Sequence, residues 1–201
     1  MPELVTPFGA LIIWIVAGYI LGSIPFGVLV ARVMGLGNLR DIGSGNIGAT
    51  NVLRTGNKAA AALTLAFDAA KGAAIVVIAR ALTAEDAAQA AGLAAFVGHC
   101  FPVWLRFRGG KGVATYFGLM IALVPVVGLI CGAIWIGVAA WGRMSSLSSL
   151  MAAGWAPVIA LLTGHQPVFF LTIVLGVLVY LRHASNIARL RRGTESKIGD
   201  A

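Results

Sequence analysis

VATYFGLMIALVPVVGLICGAIWIGVAAWGR occupies residues 113–143 and carries no charge before its last residue. At about 1.5 Å of rise per residue it is long for one membrane-crossing helix. It suffices for two short helices turning near Pro125, where the missing N–H and the ring clash break a helix. One helix here gives the chain six crossings and two give seven. Further apolar runs lie at Phe8–Met34, Ala59–Leu82, Ala87–Leu105, Ser146–Thr163 and Val168–Tyr180. With 59% hydrophobic and 11% charged residues and a mean hydropathy of +0.93, the composition excludes a water-soluble domain. The fold class expected is all-α, a polytopic integral membrane protein made of one domain over residues 1–201.

The cations separate six crossings from seven, because Lys and Arg accumulate in cytoplasmic loops while acidic residues contribute little to orientation. Seven spans with the amino terminus outside put Arg32, Arg40, Arg54, Lys58, Arg106, Arg108, Lys111, Arg143, Arg182, Arg189, Arg191, Arg192 and Lys197 on the cytoplasmic side. Only Lys71 and Arg80 lie elsewhere, and Glu3, Glu85 and Asp86 fall outside. A single helix from Val113 would send the Arg182–Lys197 tail to the wrong face. Seven transmembrane helices with a cytoplasmic carboxyl terminus are therefore expected.

The first apolar run is too long for a cleaved signal peptide and has no basic region before it. Cys100 and Cys131 show no CxxC or metal-ligand spacing and read as buried thiols, so no disulfide is predicted. The net charge of +8 does not by itself argue for a phosphorylated substrate, since a basic inner face also suits anionic lipid headgroups.

Three polar segments interrupt the apolar chain: Asn38–Lys58, Arg106–Gly112 and Arg182–Lys197. The first contains a GxGxxG at Gly43, Gly45 and Gly48, with Asp68 at roughly the separation a dinucleotide fold would use. No strand pattern precedes Gly43 and Asp68 lies in an apolar helix, so a nicotinamide or flavin site is excluded. The local physics still suits an anion. Glycines let backbone N–H groups approach closely; Ser44, Asn46, Thr50 and Asn51 can donate, and Arg54 can clamp a phosphate. An ordinary turn-rich loop is the plainer alternative.

In the second segment, RFRGGKG at 106–112, Leu105 stands where a Walker A loop needs glycine and Gly112 follows Lys111, so no nucleotide P-loop forms. Cations among glycines before a helix still make a phosphate cradle, with Thr115 nearby. His99 reads as a hydrogen-bonded structural residue. In the third segment helical spacing puts His183 and Asn186 on one face with Arg189 near it. Arg191 and Arg192 suit lipid headgroups. Glu195 is isolated in sequence and can pair with any of these cations. Asp68 and Lys71 stand at i, i+3 in an apolar helix, where unpaired charge is costly, and are expected to neutralise each other or a helix partner.

These segments resemble the bacterial membrane-integral glycerol-3-phosphate acyltransferases that use acyl phosphate as donor, the PlsY family. The resemblance covers nearly the whole chain. It rests on GSGNIGATNVLR at 43–54, GHCFPVWLRFRGGKGVAT at 98–115 and RHASNIARL at 182–190 followed by Gly193-Thr-Glu195, with Asp68-Ala-Ala-Lys-Gly72 between the first two. It implies seven transmembrane helices, an active site at the cytoplasmic face of the bacterial inner (plasma) membrane, and no metal or cofactor. The implied reaction moves a fatty acyl group from acyl phosphate to the 1-hydroxyl of glycerol 3-phosphate, giving 1-acylglycerol 3-phosphate (lysophosphatidic acid) and phosphate, the entry step of phospholipid synthesis. Ser44, Arg54 and Lys111 would hold glycerol 3-phosphate. Asn46, the loop Gly109, Gly110, Lys111 and Gly112, His183 and Asn186 would complete a two-phosphate site, and Glu195 would be structural. The implied partners are the two substrates and membrane lipid, not nucleic acid, with the protein acting as a monomer or beside the enzyme that forms acyl phosphate.

No Ser-His-Asp constellation can be assembled from the motifs, and no His-x4-Asp follows His99, His165 or His183. A covalent acyl-enzyme is therefore not the first expectation. Acyl phosphate is an activated anhydride, so aligning the attacking hydroxyl and stabilising the departing phosphate can supply much of the rate. The substrate's own phosphate as proton acceptor comes first, His183 as general base second, Ser44 as nucleophile third. A transporter would place its polar sites near the midplane. A metal-dependent phosphotransferase would cluster carboxylates, whereas Asp41, Asp68, Glu195 and Asp200 are scattered.

Overall fold

In the computed structural model of the chain, which describes residues 2–199, every regular element is helical. Asp200 lies outside the described residues. Along the chain come α1 (Phe8–Gly22), α2 (Phe26–Val33), α3 (Ala49–Leu53), α4 (Lys58–Leu82), α5 (Glu85–Cys100), α6 (Val113–Leu123), α7 (Pro125–Gly142), α8 (Ser145–Leu162), α9 (Phe169–Arg182) and α10 (Ala184–Arg191).

Residues 113–143 form two helices, and Pro125 is the reason. It opens α7 at the first helical position, where its missing N–H costs nothing. The carbonyls left open at the end of α6 need partners in an apolar setting. Arg80 supplies them, donating to Ala122 O at 2.7 Å and Leu123 O at 2.9 Å while it pairs with Glu85 at 2.8 Å.

Five stretches are long and apolar enough to cross a bilayer: Phe8–Val33, Lys58–Leu82, Glu85–Leu105, Pro125–Gly142 and Ser145–Leu162. Gln166–Arg182 and Ala184–Arg191 would add a sixth as a pair bent by 65°, and Val113–Leu123 is a shorter apolar helix. The first run is broken at Ser23–Pro25 rather than continuous, again at a proline. Nor does the last helix continue smoothly through His183. It bends at His183, whose ring and backbone N–H both engage Val179 O, at 2.8 and 3.0 Å.

Small residues let the helices approach. Gly18 and Gly22 of α1 lie directly on the Ala91 and Ala95 backbones of α5, and Gly98 lies on Tyr19. A methyl group at any of the three would collide with main chain, the close-packing logic of membrane helices. Gly72 and Gly118 join α4 to α6 in the same way, against Thr115 and Ala69. The buried core of Phe96, Tyr116, Leu119, Met120, Leu175 and Val179 then ties α5, α6 and α9 together. Large apolar side chains such as Ile13, Leu129 and Leu181 face outward, as a hydrocarbon solvent permits. The core thus holds the ends of α4, α6, α8 and α9 around one cavity.

Candidate active site

The loop before α3 is organised from within by Asn51, which is 2% exposed. Its Nδ2 donates to Leu39 O at 2.9 Å and Asn46 O at 2.7 Å. Its Oδ1 accepts from the Ser44 backbone N–H at 2.9 Å, from Ser44 Oγ at 3.2 Å and from Arg54 Nη1 at 3.4 Å. One amide therefore sets the positions of Ser44, Asn46 and Arg54. Gly43 (φ 51°) lies so close to Arg54 and Asn51 that a side chain there would displace both. Asn46 Oδ1 accepts from Gly48 N–H at 3.1 Å, and Thr50 Oγ1 lies 3.3 Å from Ser145 Oγ on α8.

The second loop is held from three sides. Gly109 N–H donates to Cys100 O and Gly110 N–H to His99 O, both at 3.1 Å. Gly110 rests against His99 Nε2 and leaves no room for a side chain. The Arg182 guanidinium donates to Gly110 O at 3.1 Å and Gly109 O at 3.3 Å. Arg40 donates to Gly45 O at 3.0 Å and also to Arg108 O, linking the first two loops. Behind the second loop Lys71 Nζ lies 2.8 Å from Asp68 Oδ1, 3.0 Å from His99 Nδ1 and 2.9 Å from Ile24 O. The expected pairing of Asp68 with Lys71 is thus seen directly. His99 joins it as a structural support.

The third segment folds back on itself. Glu195, whose side chain is 5% exposed, is not isolated: it accepts from Asn186 Nδ2 at 2.6 Å, Ser146 Oγ at 2.7 Å and Arg189 Nε at 2.7 Å. Burial alone would raise its carboxyl pKa, but these donors bring it below the usual carboxylate value. Because a carbonyl only accepts, the His183 nitrogen on Val179 O is Nδ1–H, which leaves Nε2 as the ring's only basic atom. Arg54 Nη2 donates to Ser196 Oγ at 2.5 Å, so the tail reaches the first loop.

Ser44, Asn46, Arg54, Asp68, Lys111, Gly112, His183, Asn186 and Glu195 all line one cavity of about 640 Å³. Gly109, Gly110 and Lys71 stand behind its wall. Burial lowers the Lys111 ammonium to about 8, with Arg189, Arg54 and Arg182 pushing the same way and Glu195 opposing. Arg108 is exposed and outside the lining. Thr115 is buried against Gly72 rather than in the cavity. Among the lining residues, Ser145, Ser146, Ser149 and Ser196 were not anticipated, since serines at a helix start and a tail carry no motif. Arg182 and Asn51 stood inside quoted motifs, but their internal roles appear only in space.

The other end of the cavity is apolar. Leu65 and Ala69 of α4, Phe117 and Ile121 of α6, and Trp135 and Ile136 of α7 line it. A polar, cationic end thus opens into an apolar slot. Among the described residues, no three His, Cys, Asp or Glu side chains cluster as metal ligands would.

The comparisons with known proteins point the same way. A crystal structure of PlsY (YgiH), an integral membrane glycerol 3-phosphate acyltransferase, in its glycerol 3-phosphate form superposes with a TM-score of 0.89 at 39% identity, covering 95% of this chain and 96% of that one. Its lysophosphatidic acid form gives 0.86 at 36% identity over the same shares. The glycerol-3-phosphate acyltransferase of Dinoroseobacter shibae is 59% identical over 99% of this chain and 98% of its own. That of Cereibacter sphaeroides (strain ATCC 17025) is 56% identical over 99% and 95%. Since the family model for glycerol-3-phosphate acyltransferase also matches residues 12–193, the chain belongs to the glycerol-3-phosphate acyltransferase family, a family of acyltransferases.

Proposed function

We propose that the cavity transfers a fatty acyl group from acyl phosphate to the 1-hydroxyl of glycerol 3-phosphate, releasing lysophosphatidic acid and inorganic phosphate. The observation that carries this reading is the cavity's two-ended chemistry, with Arg54, Lys111 and Ser44 at one end and Phe117, Ile121 and Ile136 at the other. A phosphate-bearing acceptor needs cations and backbone donors, and a fatty acyl donor needs an apolar slot reachable from the bilayer.

Arg54 and Lys111 hold the glycerol 3-phosphate phosphate, and Ser44 and Asn46 orient the glycerol. Asn186 and the Gly112 backbone complete the site for the departing phosphate, while Gly109 and Gly110 shape the loop from behind. The 1-hydroxyl oxygen attacks the acyl carbonyl carbon, the bond from that carbon to the phosphate oxygen breaks, and the phosphate leaves with its electron pair. The hydroxyl proton passes to the acceptor's own phosphate. His183 Nε2 is the competing acceptor for that proton. Ser44 ranks last as a nucleophile because its Oγ donates to Asn51 Oδ1 and not to an imidazole.

To the five long spans and the bent pair the short helix α6 adds a seventh crossing in this reading. With the amino terminus outside, the three polar segments and the carboxyl terminus lie at the cytoplasmic face of the bacterial inner membrane. The chain works as one domain, as a monomer or beside an enzyme that supplies acyl phosphate. The test is product formation by purified protein with glycerol 3-phosphate and acyl phosphate, acyl-CoA or acyl carrier protein, chelator present. Lysophosphatidate from acyl phosphate alone is expected. Turnover only with a thioester, or with no donor, overturns the reading.

A further inference from the structure

The slot between α6 and α7 has a definite floor. Gly128 of α7 is buried directly against Ile121 of α6, so closely that no side chain fits between them. Ile121, 43% exposed, is the last residue of α6 to line the cavity and Gly132 the first of α7, so the lining stops short of the turn where these two helices meet. One helical turn back toward the polar end, about 6 Å along α7, comes Gly132. It lies on the same stripe of α7 as Gly128, Trp135 and Ile136. Unlike Gly128, it borders open space: a β-carbon there would meet nothing within 4 Å, and Gly132 itself lines the cavity. Trp135 is held across the slot by its Nε1–H bond to Ser149 Oγ at 3.0 Å on α8, which makes that wall rigid.

We propose that Gly132 and the Ile121–Gly128 contact set the length of acyl chain the enzyme accepts. Gly132 leaves the last turn of the slot empty for the chain terminus, and Ile121 stops it. From Gly112, at the polar end of the lining, to Ile121 runs about 14 Å of α6, which places Ile121 and Gly132 at the tail end of a bound chain and away from the reacting carbonyl. A side chain at Gly132 fills the deep turn while leaving Ser44, Arg54 and Lys111 untouched. The inference rests on the acyl-phosphate reading and adds a specificity determinant to it.

The test compares Gly132→Leu and Ile121→Ala with the wild type, using stearoyl, palmitoyl and decanoyl phosphate as donors. Gly132→Leu is expected to lower turnover of palmitoyl phosphate relative to decanoyl phosphate by on the order of tenfold, since about two buried methylenes lose their place. Its activity on decanoyl phosphate is the control for folding. Ile121→Ala, which removes the stop, is expected to shift preference toward stearoyl phosphate. An unchanged palmitoyl-to-decanoyl ratio in Gly132→Leu overturns the proposal and sends the chain out sideways, between Leu65 and Ile136, which line the cavity yet are 53% and 65% exposed. If the wild type uses no acyl phosphate, the donor reading fails by itself. The length gauge is then decided by thermal stabilisation with palmitoyl and decanoyl lysophosphatidate, where selective loss of the palmitoyl response in Gly132→Leu sustains it and equal responses overturn it.

Discussion

Arg182 donates from Nε to the Gly110 carbonyl oxygen at 3.1 Å, so the end of α9 holds the glycine loop that presents Lys111. The same guanidinium reaches Gly109 O at 3.3 Å and lies 5.0 Å over the Phe101 ring. Its planar fork serves two adjacent carbonyls, which a lysine ammonium cannot do in the same geometry.

Arg182→Lys is therefore expected to raise KM for glycerol 3-phosphate and lower kcat/KM by about tenfold, as the loss of a charged hydrogen bond of ~1.5 kcal/mol implies. Thermal midpoints of wild type and variant should differ by only a few degrees. An unchanged KM with a large drop in midpoint would mean that Arg182 acts on folding alone.

Lys111 titrates near 8 because burial disfavours its charged form. Phosphate binding favours the cation, so affinity for glycerol 3-phosphate is expected to weaken as pH rises through about 8. Lys111→Arg, whose charge persists at that pH, should flatten the profile at a lower overall rate. A profile identical in both proteins would remove Lys111 from the phosphate site.

Glu195 takes three donors from α8 and α10, and its pKa lies below the ordinary carboxylate value of 4.5. The sign follows from that depression: its stabilising contribution is complete above 4.5 and is lost as pH falls through the lower folded value. Glu195→Ala is expected to cost roughly 2 kcal/mol, because it leaves Asn186, Ser146 and Arg189 without their shared acceptor. Thermal melts of wild type and variant should converge in acid. A constant gap across pH would show that the carboxylate charge is not what matters.

Gly22 sits on the Ala95 backbone, whereas a β-carbon at Gly9 on the same helix α1 would meet nothing within 4 Å. Gly22→Val is expected to push α1 from α5 and lower stability by about 3 kcal/mol or more, while Gly9→Val changes little. Thermal melts in one detergent check both. Equal effects would sink the close-packing account.

Much of the fold was legible because hydrocarbon is a strict solvent. Apolar runs, the proline at 125 and the crowding of cations into three segments mark where helices begin, break and surface, whereas the break at Pro25 inside the first run appears only in the structure. The segments quoted at 43–54, 98–115 and 182–190 also hold about half of the residues that line the cavity. Arg182 and Asn51 stood in those motifs, yet their sequence neighbours give no hint that they bind carbonyls and amides of the protein itself. Glu195 looked isolated because its three partners lie on other turns and another helix.

By itself the sequence determined an all-helical membrane protein with cation-bearing glycine loops, since composition, proline breaks and local hydrogen-bonding chemistry act at short range along the chain. Only the tertiary structure decided that the three loops share one cavity, that Gly109 and Gly110 stand behind its wall, and that the apolar slot stops at Ile121. Those facts depend on glycines letting α1, α4, α5 and α6 touch backbone to backbone, and such approach distances are set between residues far apart in the chain.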